Sequence, residues 1–126
     1  MTVVLVVDDE EIIRAMAESF LHDAHHQTVL AANTEEAILL LQSDQTIDVL
    51  FTDLGLGHCL RDGIDLAVAA RKLRPGLSVL YTSGHGVTDG MQAMFVEPFG
   101  FLAKPYTMDQ LNTALGNSLR QCDKPN

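Results

Sequence analysis

Five short apolar segments, each continuous rather than alternating with polar residues, recur along the chain. A run of this kind is typical of a strand that is buried on both faces of a parallel sheet. The predicted strands cover residues 3–7, 28–31, 49–53, 77–81 and 99–103. Polar or glycine-containing stretches separate them, so the pattern predicts five distinct strands.

After each strand, apolar residues recur at three- and four-residue spacing, which is typical of one buried helix face. The predicted helices lie around residues 12–21, 33–41, 64–73, 87–96 and 107–119. Asn33 and Glu36 have the spacing of a capping box, which favours a helix start at this point. Thr107 and Gln110 repeat that spacing before the last helix. The fourth helix has the weakest pattern, because Gly90 interrupts it.

The order of elements predicts the fold class. Strands that alternate with helices favour an α/β protein with a parallel sheet and right-handed crossover connections. No long linker interrupts the five βα units, so we expect residues 1–126 to form one domain without an effector domain. Only the polar tail from about residue 121 is expected to be frayed.

Composition argues against several classes of partner. A net charge of -9 argues against a large basic surface, so we expect no direct contact with nucleic acid. No apolar run approaches the ~20 residues of a membrane-spanning helix. The first residues lack the basic and apolar regions of a signal peptide, so we expect none. Cys59 and Cys122 form neither a metal-type pair nor a disulfide framework. We therefore expect a cytoplasmic protein without membrane contacts, either a monomer or a weak dimer.

Polar side chains follow the carboxyl ends of four predicted strands. They are Asp8 and Asp9, Asp53, Thr82 and Ser83, and Lys104 and Pro105. The carboxyl ends of parallel strands lie side by side, and ligands bind in the crevice beyond them. The sequence therefore predicts that these groups converge on one pocket.

The residue types in this pocket favour metal and phosphoryl chemistry. Asp8, Asp9 and Asp53 would repel one another, and a bound divalent cation would relieve that repulsion. Because the ligands are all oxygens, we expect Mg²⁺, with Mn²⁺ as the alternative. Lys104 can neutralise a phosphoryl group, and Ser83 can donate a hydrogen bond to it. A carboxylate can attack phosphorus and form an acyl phosphate. Asp53 is the natural nucleophile, because it ends the third strand, which we expect near the centre of the sheet.

Each of these residues has an ordinary structural alternative. An Asp after a strand is often an N-cap or turn residue, and paired acids favour the start of a helix. A single Lys is most often a solvated charge. Only the joint placement of these residues at strand ends favours a shared phosphoryl and metal site.

Five motifs cover nearly the whole chain. They are VVDDE at 6–10, TDLGL at 52–56, DGIDL at 62–66, YTSGH at 81–85 and FLAKPY at 101–106. In this order and spacing they closely resemble the receiver domain of two-component response regulators. The resemblance implies a flavodoxin-like (βα)5 fold, with a doubly wound five-stranded parallel sheet in the strand order 2-1-3-4-5.

The resemblance also implies roles for the acidic residues. Asp53 would be the phosphoacceptor. Mg²⁺ would be held by Asp9 and Asp53, by Asp8 in support, and by the backbone carbonyl of Gly55.

Further roles are implied at the ends of the last two strands. Ser83 and Phe101 occupy the two switch positions of the family, and Lys104 occupies the position that pairs with the phosphoryl group. The bond between Lys104 and Pro105 is expected to be a cis peptide bond.

The implied function is signalling rather than turnover. A histidine kinase or a histidine phosphotransfer protein would phosphorylate the domain, which catalyses only its own phosphorylation and autodephosphorylation. The fourth helix, fifth strand and fifth helix would then present a changed surface to an unidentified downstream protein.

Two segments depart from the family pattern. Gly57 stands where many receivers have Pro, and the stretch before Gly63 is longer than usual, so we expect an irregular loop over residues 57–62. The segment between Ser83 and Lys104 is short, which leaves the conformation of the fourth helix open.

Three alternatives stay open. The chain could be a receiver excised from a hybrid histidine kinase or a larger regulator. It could be a Mg²⁺-dependent phosphohydrolase with an aspartyl nucleophile, although Gly55 replaces the second Asp that such enzymes commonly carry. A flavin-binding flavodoxin is disfavoured, because acids at 8–10 would repel a phosphate.

Overall fold

The computed structural model describes residues 2–56, 59, 61–84 and 86–123, with side chains described up to residue 119. Within them, strands and helices alternate as β1 (Val3–Val7), α1 (Glu11–Asp23), β2 (Gln27–Ala31), α2 (Thr34–Gln42), β3 (Val49–Asp53), α3 (Arg61–Leu73), β4 (Ser78–Ser83), α4 (Asp89–Gln92), β5 (Gly100–Ala103) and α5 (Met108–Asp123). The strands form one parallel sheet in the order β2-β1-β3-β4-β5. The predicted α/β fold class and strand order are confirmed.

The sheet separates two apolar layers. Because successive side chains of a strand point to opposite faces, each central strand supplies both layers. In β1, Val4 and Val6 pack with α1 and α5, whereas Leu5 and Val7 pack with α2 and α3. Burial on both faces explains the continuous apolar runs of β1, β3 and β4, whereas β2 and β5 at the edges of the sheet are only partly buried.

Two helices begin with the predicted capping contacts. The Asn33 side chain accepts a hydrogen bond from the Glu36 amide at 2.8 Å, and the Glu36 carboxylate accepts one from the Ala32 amide at 2.7 Å. Before α5, the Thr107 hydroxyl accepts from the Gln110 amide at 3.1 Å, and the Gln110 side chain accepts from the Thr107 amide at 2.9 Å. These contacts satisfy amides that have no partner inside the helix.

The prediction of a fourth helix over residues 87–96 is wrong in its length, because α4 has only four residues. Gly90 makes the helical state less favourable within this single turn. After α4, Phe95 turns into the core, and only 6% of it stays exposed. The Val96 amide then donates to the hydroxyl of Tyr81 at 3.0 Å instead of to a helical carbonyl. Packing against the sheet therefore ends the helix early.

Several further bounds differ from the sequence prediction. α3 begins at Arg61, so residues 61 and 62 of the expected irregular loop are helical. β4 continues to Ser83, so Thr82 and Ser83 lie within the strand rather than after it. α5 continues to Asp123, past the predicted end of the helix at residue 119. Residues 57, 58 and 60 of the expected irregular loop lie outside the described residues. In the described part of the chain, no helix combines the length and apolar character needed to cross a membrane.

Candidate functional site

Three strands bring one ammonium and two carboxylates together. The Lys104 Nζ atom lies 3.0 Å from Asp8 Oδ2 and 3.0 Å from Asp53 Oδ2. Asp8 follows β1, Asp53 ends β3, and Lys104 follows β5, so the parallel topology places all three at one sheet edge. Asp8 is 3% exposed and Asp53 is 8% exposed, so both carboxylates lie beneath the surface. This cluster is the convergence that the strand ends predicted.

Burial and charge act in opposite directions at these groups. Burial raises the pKa of Asp53, since it penalises the ionised form; Lys104 opposes that rise, and the nearby charge of Asp8 adds to it. Burial alone would lower the pKa of Lys104, but its hydrogen bonds and ion pairs with Asp8 and Asp53 outweigh burial and raise that pKa. The pKa of both groups is therefore raised, because desolvation prevails at Asp53 and ion pairing prevails at Lys104.

The turn after β1 carries a second acidic group. Carboxylate oxygens of Asp8, Asp9 and Glu10 lie within 4.8 Å of one another, and Asp9 and Glu10 are exposed. The Glu10 amide donates to Asp8 Oδ1 at 2.9 Å. The Arg14 guanidinium donates to the backbone carbonyl of Asp8 at 2.6 Å, which ties the turn to α1. An oxygen-only donor set of this kind suits Mg²⁺.

Backbone contacts shape the segment after Asp53. The Gly55 amide approaches Asp53 Oδ1 at 3.4 Å, so Gly55 lies beside the carboxylate. The Gly63 amide donates to the Leu54 carbonyl at 2.7 Å. A Cβ atom on Gly63 would clash with the carbonyl of Asp53 and would lie 2.7 Å from Leu54 Cα. The glycine of the DGIDL motif therefore allows α3 to approach this edge of the sheet.

The two residues at the implied switch positions, Ser83 and Phe101, differ in burial and in their place in the sheet. Ser83 ends β4 and is 3% exposed, and its carbonyl accepts the Lys104 amide at 3.0 Å. Phe101 pairs in register with Tyr81, two residues before Ser83, and 36% of it is exposed. The structure thus brings Ser83 to the site and leaves Phe101 on the outer strand. A Cβ atom on Gly84 would meet only Lys104 Cβ, at 4.0 Å, so space remains beside the lysine.

The segment after Lys104 joins the site to the core. The bond between Lys104 and Pro105 is cis. Tyr106 is 6% exposed, and its ring lies 5.7 Å from that of Phe51 between centroids. Burial raises the pKa of Tyr106, and the charges of Asp8 and Asp53 raise it further. The Tyr106 hydroxyl therefore stays neutral beside the acidic cluster.

Two contacts at this site were not predicted. Glu10 follows Asp8 and Asp9 directly in the sequence, so its position in the same turn was the available signal. Arg14 had no signal, because its contact with the Asp8 carbonyl depends on how α1 leaves the turn.

Comparison with known proteins decides the family. Residues 4–116 match the sequence model of the response regulator receiver domain. The chain belongs to this family. A crystal structure of a response regulator receiver protein from Sinorhizobium medicae superposes with a TM-score of 0.86, at 31% identity, covering 97% of each chain. Vibrio cholerae CheY4 superposes with a TM-score of 0.82, at 27% identity, covering 94% of this chain and 99% of that chain.

Curated relatives are much longer than this chain. The regulatory protein AlgB of Pseudomonas aeruginosa is 32% identical over 117 residues, which are 92% of this chain and 25% of AlgB. An NtrX-like putative response regulator of Rickettsia bellii is 29% identical over 109 residues, which are 86% of this chain and 23% of that protein. The chain spans about a quarter of the length of these relatives. The family assignment therefore concerns the receiver domain, which generally binds Mg²⁺ at an acidic pocket.

Proposed function

We propose that the chain is one receiver domain that accepts a phosphoryl group on Asp53. The observation that supports this role is the contact of Lys104 Nζ with Asp8 and Asp53 at the carboxyl edge of the sheet. A buried carboxylate at that edge can act as a nucleophile, and the ammonium beside it can neutralise the charge that arrives with a phosphoryl group.

The reaction exchanges one bond to phosphorus for another. An oxygen of Asp53 forms a bond to phosphorus while the phosphorus–nitrogen bond of a phosphohistidine breaks, and the bonding electron pair leaves with the imidazole. Positioning and charge neutralisation supply most of the catalysis in such a transfer. Lys104 can pair with a phosphoryl oxygen and keep its contact with Asp8. Ser83, at the end of β4, supplies a hydroxyl that can turn toward the same group.

The same edge has the ligands for a divalent cation. Asp8, Asp9 and Asp53 would hold Mg²⁺ together with the backbone carbonyl of Gly55, and Glu10 adds a carboxylate in the same turn. Mn²⁺ could replace it, because both ions take oxygen ligands. When bound, Mg²⁺ neutralises negative charge on the oxygens of the transferred group.

The partners follow from the chemistry of the site. A histidine kinase or a histidine phosphotransfer protein supplies the phosphoryl group in the cytoplasm, and a downstream protein responds to it. The relative LuxN of Vibrio campbellii, an autoinducer 1 sensor kinase/phosphatase, is 26% identical over 94% of this chain and 14% of LuxN. A sensor kinase can therefore contain a segment like this chain, which supports a receiver within a hybrid kinase as the second candidate.

We expect phosphorylation of Asp53 to change the surface formed by β5 and α5. A groove of about 680 Å³ lies there, and its lining includes Phe101, Pro105, Asp109, Thr113 and Asn117. Phe101 is the exposed aromatic residue of this groove, and inward rotation of its ring would change the groove's shape. Because α4 is a single turn, β5 and α5 supply more of this surface than α4 does.

We expect no sustained hydrolysis of phosphorylated substrates. Gly55 has no side chain that could act as a general acid or base two residues after Asp53. Phosphate release should therefore be limited by the lifetime of the acyl phosphate.

The decisive experiment is labelling with acetyl phosphate and Mg²⁺, followed by intact mass. The wild-type protein should gain one phosphoryl group, and Asp53→Asn should gain none, while Asp44→Asn, which changes an exposed carboxylate, should label like the wild type. Full labelling of Asp53→Asn would refute the acceptor assignment. Rapid multiple-turnover release of phosphate would instead favour a phosphohydrolase.

A further inference from the structure

Thr82 carries a buried hydroxyl next to the proposed phosphoacceptor. The residue is 2% exposed, and its Oγ1 atom has no hydrogen-bond partner among the residues that the structure describes. A buried hydroxyl without a partner is unfavourable, because it has lost its hydrogen bonds to water. Val has nearly the same shape and would fill this strand position without that penalty. Packing alone therefore does not explain why this position carries a hydroxyl group.

The register of the sheet places Thr82 beside Asp53. The two residues are paired neighbours on β4 and β3, and paired strands lie ~4.8 Å apart. Their side chains also point to the same side of the sheet. Phe51 and Leu80 both pack in the layer of α1 and α5, and Asp53 and Thr82 each follow two residues later on their strands.

The Asp53 carboxylate changes partners if it is phosphorylated. Lys104 Nζ contacts Asp53 Oδ2 at 3.0 Å, and the Gly55 amide contacts Oδ1 at the longer distance of 3.4 Å. If Lys104 moves to a phosphoryl oxygen, its ammonium no longer contacts the carboxyl group of Asp53, a residue that is only 8% exposed. The carboxyl oxygen that does not carry phosphorus would then contact Mg²⁺, and its second lone pair can accept a hydrogen bond from another donor.

We propose that the Thr82 hydroxyl positions the modified Asp53 side chain by donating a hydrogen bond to its carboxyl oxygen. The hydroxyl has no partner in the resting form and gains one when the phosphoryl group draws Lys104 away. Thr82 thus favours the phosphorylated form over the resting form. This inference rests on the proposed function of Asp53.

Beryllofluoride with Mg²⁺ tests the inference without a catalytic step, because it mimics a phosphoryl group on a carboxylate. Its apparent affinity is measured by titration of amide NMR shifts in the full chain. Thr82→Val should bind beryllofluoride about 5- to 10-fold more weakly, the loss expected for one hydrogen bond. Thr82→Ser keeps the hydroxyl and should stay within about 2-fold of the wild type.

Ser118 provides a matched control. Its Oγ atom is also buried without a partner among the described residues, but it faces Gly100 at the start of β5. Ser118→Ala should leave the affinity for beryllofluoride unchanged. Without ligand, Thr82→Val should unfold at the same temperature as the wild type or higher, which separates the expected loss from misfolding.

The outcomes distinguish this inference from the proposed function. Equal affinity of wild type and Thr82→Val overturns the role of Thr82 and leaves the role of Asp53 intact. Equal losses in Thr82→Val and Thr82→Ser also overturn it, because the hydroxyl would then be irrelevant. If the wild type does not bind, or if Asp53→Asn binds equally well, both proposals fail.

Discussion

Lys104 compensates two buried carboxylates at once. Its ammonium contacts Asp8 and Asp53 at 3.0 Å each, and 13% of its side chain is exposed. The compensation is incomplete at Asp53, where burial still raises the pKa of the carboxyl group. An ionised Asp53 therefore reduces the stability of the resting fold, as is common for residues that are kept for function.

The first prediction concerns this penalty. Asp53→Asn should raise the free energy of unfolding at pH 7 by about 1–2 kcal/mol, because it removes a desolvated charge while Lys104 keeps Asp8 as a partner. The sign follows from linkage. The folded-state pKa of Asp53 lies above its unfolded value, so the penalty is present at pH values above the folded pKa and disappears as the pH falls through it.

Urea denaturation at pH 7 and at several acidic values measures this effect. The stability gain of Asp53→Asn over the wild type should shrink toward low pH. Asp44→Asn, which removes an exposed carboxylate, should show neither the gain nor its pH dependence. A destabilised Asp53→Asn at pH 7 would show that the ion pair with Lys104 outweighs desolvation.

At the scale of elements, side-chain contacts with the sheet and with α3 hold residues 95–99, which lie between α4 and β5. The rings of Tyr81, Phe95 and Phe99 lie 4.3 to 5.8 Å apart between centroids. Arg71, on α3, donates to the carbonyls of Glu97 and Pro98 at 2.9 Å each. Tyr81 and Arg71 are distant from this segment along the chain, so their contacts shape it only after the sheet and α3 have assembled.

The second prediction tests this anchoring. Tyr81→Phe removes the hydroxyl that accepts the Val96 amide, and hydrogen exchange of that amide should become about 5- to 10-fold faster. Amide exchange followed by NMR measures this change residue by residue. Tyr106→Phe, whose ring packs in the opposite layer, should leave the Val96 amide unaffected. Unchanged protection in Tyr81→Phe would mean that ring packing alone holds the segment.

At the scale of the whole molecule, negative charge is in excess, and part of it is concentrated at the carboxyl edge of the sheet. The net charge is -9, and Asp8, Asp9 and Glu10 lie in one turn of that edge. Repulsion of this kind destabilises a compact state, and it weakens when ions screen it or when a cation binds. Screening and specific binding can be separated because only binding depends on particular carboxylates.

The third prediction makes that separation. At matched ionic strength, saturating Mg²⁺ should raise the free energy of unfolding above its value in NaCl by about 1–3 kcal/mol, because a ligand that binds only the folded state stabilises it. Asp9→Asn should lose most of this difference, since Asp9 belongs to the acidic turn. Asp44→Asn should keep it. Equal stabilisation by both salts would limit the role of Mg²⁺ to screening.

The capping contacts of α2 and α5 show what was predictable from local sequence. Asn33 with Glu36, and Thr107 with Gln110, are three residues apart, so their hydrogen bonds depend on little else. Apolar periodicity and βα alternation also predicted the parallel sheet and the edge where polar residues meet, whereas the strand order was implied by the resemblance to receiver domains.

The burial of the site carboxylates and the length of α4, by contrast, depend on the tertiary structure. The sequence alone placed Asp8, Asp53 and Lys104 at one sheet edge, because each lies at the carboxyl end of a predicted strand. It did not determine that α4 would stop after one turn, since that depends on packing against Tyr81 and on Arg71, which lie far from it in the chain. Propensity and periodicity act over a few residues, whereas desolvation and packing depend on neighbours that only the assembled fold brings together.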